Sequence, residues 1–220
     1  MKFISGRIPL WVKLLYTAFF AVLLPVYLHY YGPTNFLYFC DIALLMTFVA
    51  LWTESPLWAS APLVGITIPQ LLWMADFMCG GQLILMTDYM FDSNRPLFLR
   101  GLSFFHFWLP FFLLYVVCRL GYDRRAWLTW SALGCTVLTV CYFFMPGPGA
   151  STEPNLPVNI NYVFGFDDKK EQEIMAPWLW YCGEMVISTF AMWLLPAWIL
   201  GRFIAAPVVR NAFHHENTKA

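Results

Sequence analysis

The chain has 220 residues, of which 60% are hydrophobic and only 12% charged, with no net charge. A soluble domain carries about 25% charged residues, so an ordinary water-soluble fold is excluded and an all-α, polytopic membrane protein is predicted. No basic surface and no glycine-rich phosphate loop occur, which excludes nucleic-acid and nucleotide partners and leaves membrane lipids as the expected company.

About 20 apolar residues are needed to cross a bilayer, and six stretches in the chain come near that length. The first, Leu10–Tyr31, follows Lys2 and Arg7 and contains Lys13, as a signal peptide would, but no small-residue cleavage site follows and it reads as a retained helix. The second, Asn35–Trp52, opens after Gly32-Pro33 and carries Cys40 and Asp41. The third, Pro56–Met78, has a kink expected at Pro69, with Gln70, Trp73 and Asp76 beyond it. A loop, Cys79–Pro96, contains Gly80, Gly81, Asp88 and Asp92. The fourth span, Leu97–Leu120, carries Arg100, Ser103 and His106 along one side. After the basic turn Gly121–Arg125 comes the fifth, Ala126–Phe144. The longest loop, Met145–Pro177, opens with Pro146-Gly147-Pro148-Gly149. Its segment Asn159–Gly165 holds Ile160, Val163 and Phe164, apolar enough to fold back onto the bundle. The last span, Trp178–Ala205, carries Tyr181, Glu184 and Ser188. Residues 1–207 therefore read as one six-span transmembrane domain, and 208–220 as a polar tail containing His214 and His215.

Basic residues set orientation. With both termini cytoplasmic, Lys2, Arg7, Lys13, Arg119, Arg124, Arg125, Arg202, Arg210 and Lys219 lie inside. Arg95, Arg100, Lys169 and Lys170 lie outside, with most of the acids. The long loops then face outward, and any function is expected there. Cys40, Cys118, Cys135, Cys141 and Cys182 fall within spans and Cys79 at a span end, which favours free, packed thiols over disulfides or zinc ligands.

Polar residues within spans must face the bundle interior. At about 1.5 Å per residue, Cys40 lies ~8 Å inward from Asn35, His106 ~15 Å from Pro96 and Glu184 ~10 Å from Pro177. These depths allow one polar pocket in the outer half of the bilayer, with Asp41, Arg100 and Glu184 as binding residues and Arg100 pairing with Asp76 or Asp41. His106 is the one histidine deep within a span. Such a ring can take a proton from a nucleophile and return it, and Cys40 is the nucleophile at similar depth. A single intramembrane histidine cannot build a multi-histidine metal centre, so no metal and no cofactor are expected.

The run Phe39-Cys40-Asp41-Ile42-Ala43-Leu44-Leu45 resembles a pattern in a family of six-helix membrane proteins. So do Leu102-Ser103-Phe104-Phe105-His106 and Asn161-Tyr162-Val163-Phe164. The family includes bacterial YwaF-like integral membrane proteins and a eukaryotic transmembrane cysteine acyltransferase of ether phospholipids. It is more distantly similar to androgen-induced threonine hydrolases of fatty-acid esters. The resemblance, over Asn35–Gly165, implies Cys40 as nucleophile, His106 as its base, Asn161 and Tyr162 closing the pocket, and a bacterial cytoplasmic membrane as the setting. The readings that follow are an intramembrane acyltransferase or lipid-ester hydrolase and, alternatively, a non-enzymatic lipid or small-molecule carrier or scaffold subunit.

Overall fold

The computed structural model describes residues 8–150 and 156–206. Lys2, Arg7, Glu153, Arg210, Lys219, His214, His215 and the tail 208–220 lie outside the described residues. Every regular element among the described residues is helical. In chain order these are α1 (Leu10–Tyr31), α2 (Phe39–Thr53), α3 (Pro56–Met78), α4 (Leu97–Ser103), α5 (Phe105–Leu120), α6 (Ala126–Phe144), α7 (Pro177–Ile187), a π-helical turn Ser188–Trp193, and α8 (Leu194–Phe203). Five stretches are long and apolar enough to cross a membrane, with α4–α5 and α7–α8 each counting as one. The fold is a helical bundle whose length and composition are compatible with an integral membrane protein.

α2 differs from its expected bounds. It has 15 residues and begins at Phe39 rather than Asn35. Pro33 instead starts a short 3₁₀ turn, Pro33–Leu37, and Tyr38 is extended before the helix proper. At about 1.5 Å per residue α2 is only ~22 Å long, short of the ~30 Å hydrocarbon layer.

α3 is the central helix: α2, α5, α6 and α8 all pack around it. It runs through Pro62 and Pro69 without interruption. Close approach needs small residues where helices cross. A Cβ on Gly65 would run into the indole of Trp130, and one on Gly134 into that of Trp193. Both indoles are fully buried. α1 lies at the edge and buries Val12, Tyr16, Phe20, Leu23 and Tyr27, a single face at helical spacing, while Trp11, Leu14 and Leu15 stay exposed as lipid-facing residues would.

The fourth span is not continuous. α4 ends at Ser103, and Phe104 (ψ −5°) joins it to α5. The Phe104 and Phe107 amides bond to carbonyls three residues back, on Gly101 and Phe104, instead of four. This tightening leaves the Ser103 carbonyl without the amide that a regular helix would supply.

Candidate functional site

His106 closes the gap left at that break. Its Nδ1 lies 2.8 Å from the Ser103 carbonyl oxygen. A carbonyl only accepts, so Nδ1 carries the hydrogen and Nε2 keeps its lone pair when the ring is neutral. The ring stacks on Trp73 of α3, with centroids 5.1 Å apart, and Trp73 stacks in turn on Phe77. The Trp73 indole N–H donates to the Tyr89 hydroxyl at 3.3 Å. Ser103, whose backbone holds His106, shares a 2.7 Å side-chain hydrogen bond with Tyr27 of α1.

Cys40 and Asp41 occupy the first turn of α2. Asp41 is 2% exposed, and its Oδ2 accepts from the Asn35 amide at 2.9 Å. Its Oδ1 has no hydrogen-bond partner, and no cation pairs with it among the described residues. An acid in the first turn suits the positive end of the helix dipole, but the burial remains costly without a partner on that oxygen. Cys40 is half-buried, and no hydrogen bond joins it to His106.

The segment 159–165 supplies the roof. Asn161 accepts from the Phe39 amide at 3.1 Å and donates to the Leu37 carbonyl at 2.9 Å, with its amide 3.8 Å from Cys141 Sγ. One side chain thereby caps α2 from a distant loop, satisfying an amide that the helix start leaves open. Asn159 braces the loop internally, accepting from the Phe164 amide and donating to the Gly165 carbonyl. Asn159, Asn161 and Tyr162 all have positive φ, at 48°, 58° and 65°. Asparagine adopts this region readily and tyrosine rarely does, so Tyr162 is held there by its surroundings: its carbonyl accepts from the Trp180 indole and the Gly165 amide, each at 3.0 Å. Burial first, then Asp168, pushes the Tyr162 phenol well above its ordinary range, and Tyr89, Cys40 and Asp88 act on it in the same direction. Burial likewise pushes up the phenols of Tyr38 and Tyr89, and each also feels Cys40 and Asp41. Tyr38, Cys40, Asp41, Tyr89 and Tyr162 therefore belong to one neighbourhood. Asp168 is lifted to about 6 by burial, with Asp88 and Asp167 adding to the shift and Asn159 and Arg95 opposing it.

Comparison with protein-family models, curated proteins and solved structures finds no match. What can be said of the site rests on its own geometry.

Two expected partnerships are replaced. Arg100 pairs with neither Asp76 nor Asp41; its guanidinium donates to the Met90 carbonyl at 3.1 Å. Asp76 is fully buried and saturated. Oδ1 accepts the Leu83 and Ile84 amides, and Oδ2 accepts the Thr87 amide and hydroxyl, all at 2.7–2.8 Å. It organises the Cys79–Pro96 loop and has no capacity left for a cation. Glu184 is within electrostatic reach of Cys141, and Asn161 contacts both Cys141 and the start of α2. Among the described residues no cluster of three or more His, Cys, Asp or Glu could hold a metal ion. All six cysteines are free thiols.

Residues that the sequence did not single out complete the site: Tyr27, Tyr38 and Tyr89 around Asp41, and Asn159 in the roof. Tyr27 and Tyr31, four apart on α1, carried a legible signal, because that spacing puts both phenols on one helix face. Their rings meet edge to face at 5.2 Å.

Proposed function

We propose that this membrane protein binds an amphiphile, a lipid or lipid-like small molecule, in a loop-roofed site at the start of α2. The observation that carries this reading is the docking of the 159–165 segment. A loop from the far half of the chain bonds by Asn161 to both Leu37 and Phe39, the residue before the half-buried Cys40. Long loops folded onto a scaffold in this way serve as lids and binding elements. The surroundings are aromatic with a few buried polar groups, the composition of small-molecule sites.

Cys40 is a built-in reporter. In the full chain in lipid nanodiscs, saturating amphiphile should slow alkylation of Cys40 by a membrane-permeant maleimide, read by peptide mass spectrometry. The exposed Cys79 and Cys182 serve as internal controls. Cys40 alkylation that no amphiphile alters would overturn the reading.

The acyl-transfer reading, which rests on the resemblance to YwaF-like proteins, has one observation in its favour. With Nδ1 committed to Ser103, the free Nε2 of His106 has the form of a general base. It requires Cys40 to be acylated by a lipid-ester probe in wild type and in neither Cys40→Ala nor His106→Ala. Full labelling of Cys40→Ala removes it.

A further inference from the structure

The amphiphile reading leaves open what the polar end of the ligand is, and Asp41 speaks to that. A buried carboxylate is normally paired or fully hydrogen-bonded. Asp41 has one oxygen on Asn35 and the other on nothing, and Arg100, the basic side chain on which the sequence suggested a pairing, is bonded elsewhere. Asp76 shows what a carboxylate looks like in this protein when the fold itself uses it, with four donors on its two oxygens. Asp41 lacks that saturation while being almost as deeply buried.

Around it the chain collects phenols and further acids, with the Arg95 guanidinium over the Tyr89 ring at 5.5 Å. Tyr27 and Tyr31 come from α1, with Tyr27 also held by Ser103. Tyr89 comes from the loop after α3, held by Trp73. Acidic groups act on the phenols of Tyr38 and Tyr162: Asp168 on both, and more weakly Asp41 on Tyr38 and Asp88 on Tyr162. Aromatic faces beside an unpaired carboxylate attract organic cations, and quaternary ammonium groups are held this way in many binding sites.

We propose that the Asp41 site receives the ammonium group of its ligand, an amine or quaternary-ammonium head, with the Asp41 Oδ1 as its counter-charge and tyrosine rings as its wall. The proposal rests on the amphiphile reading and sharpens it. The order of binding is simple: the ammonium enters beneath the 159–165 roof, Asp41 is neutralised by the ligand instead of by a side chain, and any alkyl tail stays among apolar groups. No covalent step is involved.

The test uses the full chain in nanodiscs of neutral and anionic lipids, with Cys40 alkylation as readout. The probes are dodecyltrimethylammonium, dodecyl maltoside and tetramethylammonium, each titrated against wild type and Asp41→Asn. Asparagine has nearly the same shape and keeps an acceptor for Asn35. The expected result is saturable protection of Cys40 by dodecyltrimethylammonium at concentrations roughly tenfold or more below those needed for dodecyl maltoside, a preference that Asp41→Asn removes. Protection by tetramethylammonium equal to that by the long-chain cation supports the ammonium site and assigns it to a soluble ligand. Equal protection by dodecyltrimethylammonium and dodecyl maltoside, unchanged in Asp41→Asn, overturns the ammonium assignment while leaving the amphiphile site standing. No protection by any probe overturns both. Should Asp41→Asn fail to fold, Tyr89→Leu takes its place, with the same loss of cation preference expected and retention of the full preference counting against the proposal.

Discussion

Asn161 offers the sharpest test of how the roof is held. Replacing it with glycine removes the side chain but keeps a residue that accepts φ near 58° without strain. Two good hydrogen bonds disappear, the one from the Phe39 amide and the one to the Leu37 carbonyl. Each such bond contributes about 0.5–1.5 kcal/mol net, and a buried group left unsatisfied costs about 1–3 kcal/mol. Docking of the segment should therefore weaken by roughly 2–4 kcal/mol, which raises its open population roughly 30- to 1,000-fold. Hydrogen–deuterium exchange of the protein in nanodiscs reads this directly. Amides of Gly165 and Phe164, and that of Phe39, should lose protection by that factor, while those in the middle of α3 and α6 stay as they were. Asn161→Ala should be worse by about 1 kcal/mol because alanine resists the left-handed backbone. If the glycine variant exchanges like wild type across 159–165, the side chain does not hold the roof and the reasoning fails.

Four further outcomes are expected. Asp76→Asn gives up acceptor capacity toward Thr87, a loss of about 1.5–3 kcal/mol for a charge-assisted bond, and limited proteolysis should cut the Cys79–Pro96 loop faster while leaving the helices intact. His106→Ala orphans the Ser103 carbonyl, lowering stability by about 1–3 kcal/mol in thermal unfolding; His106→Asn, able to donate to that carbonyl, should recover part of it, and a fully stable alanine variant would refute the capping role. Gly65→Ala should destabilise by about 1–3 kcal/mol or more through overpacking against Trp130, whereas Gly183→Ala, with nothing within 4 Å of its added Cβ, should be neutral or stabilising by roughly 0.5–1 kcal/mol. Asp168 has a raised value of about 6 in the docked loop, so the docked state holds its proton more tightly than the open one. Docking is then strongest below the free-carboxylate value near ~3.9 and weakens as pH rises through about 6. Exchange protection across 159–165, corrected for intrinsic rate, should fall over that window in wild type and stay level in Asp168→Asn.

The membrane class, the helical segments and the inward-facing polar residues were legible because each rests on local chemistry. Apolar runs, proline and glycine breaks, and the intolerance of hydrocarbon for charge act within a few residues. The α4–α5 break was invisible because no proline or glycine marks Phe104, and the ring that caps it reads from sequence as a catalytic histidine. The Arg100 pairing failed for a similar reason. Sequence places a cation near acids, but only the folded loop shows that Asp76 is already filled by amides and that a carbonyl takes the guanidinium. Asn161 was singled out through the resemblance, yet the job that the structure shows for it, capping α2 across 122 positions of chain, could not have been inferred from spacing. Asp41 was seen as a membrane-embedded acid, and its unmatched oxygen emerged only once every neighbour was placed.

The shortness of α2 bears on where a ligand would have to come from. A helix about 8 Å too short for the hydrocarbon layer normally forces the bilayer to thin around it. Here the 3₁₀ turn before α2 and the docked 159–165 segment extend the protein where the helix stops, and the Leu37 carbonyl and the Tyr38, Phe39, Tyr162, Phe164 and Gly165 amides are bonded within the protein, as irregular chain in hydrocarbon would have to be. The turn and the docked segment therefore carry the protein past the end of a helix too short to cross the hydrocarbon layer by itself. Were the amphiphile proposed above to reach that turn out of the lipid, its concentration in the bilayer rather than in solution would set occupancy.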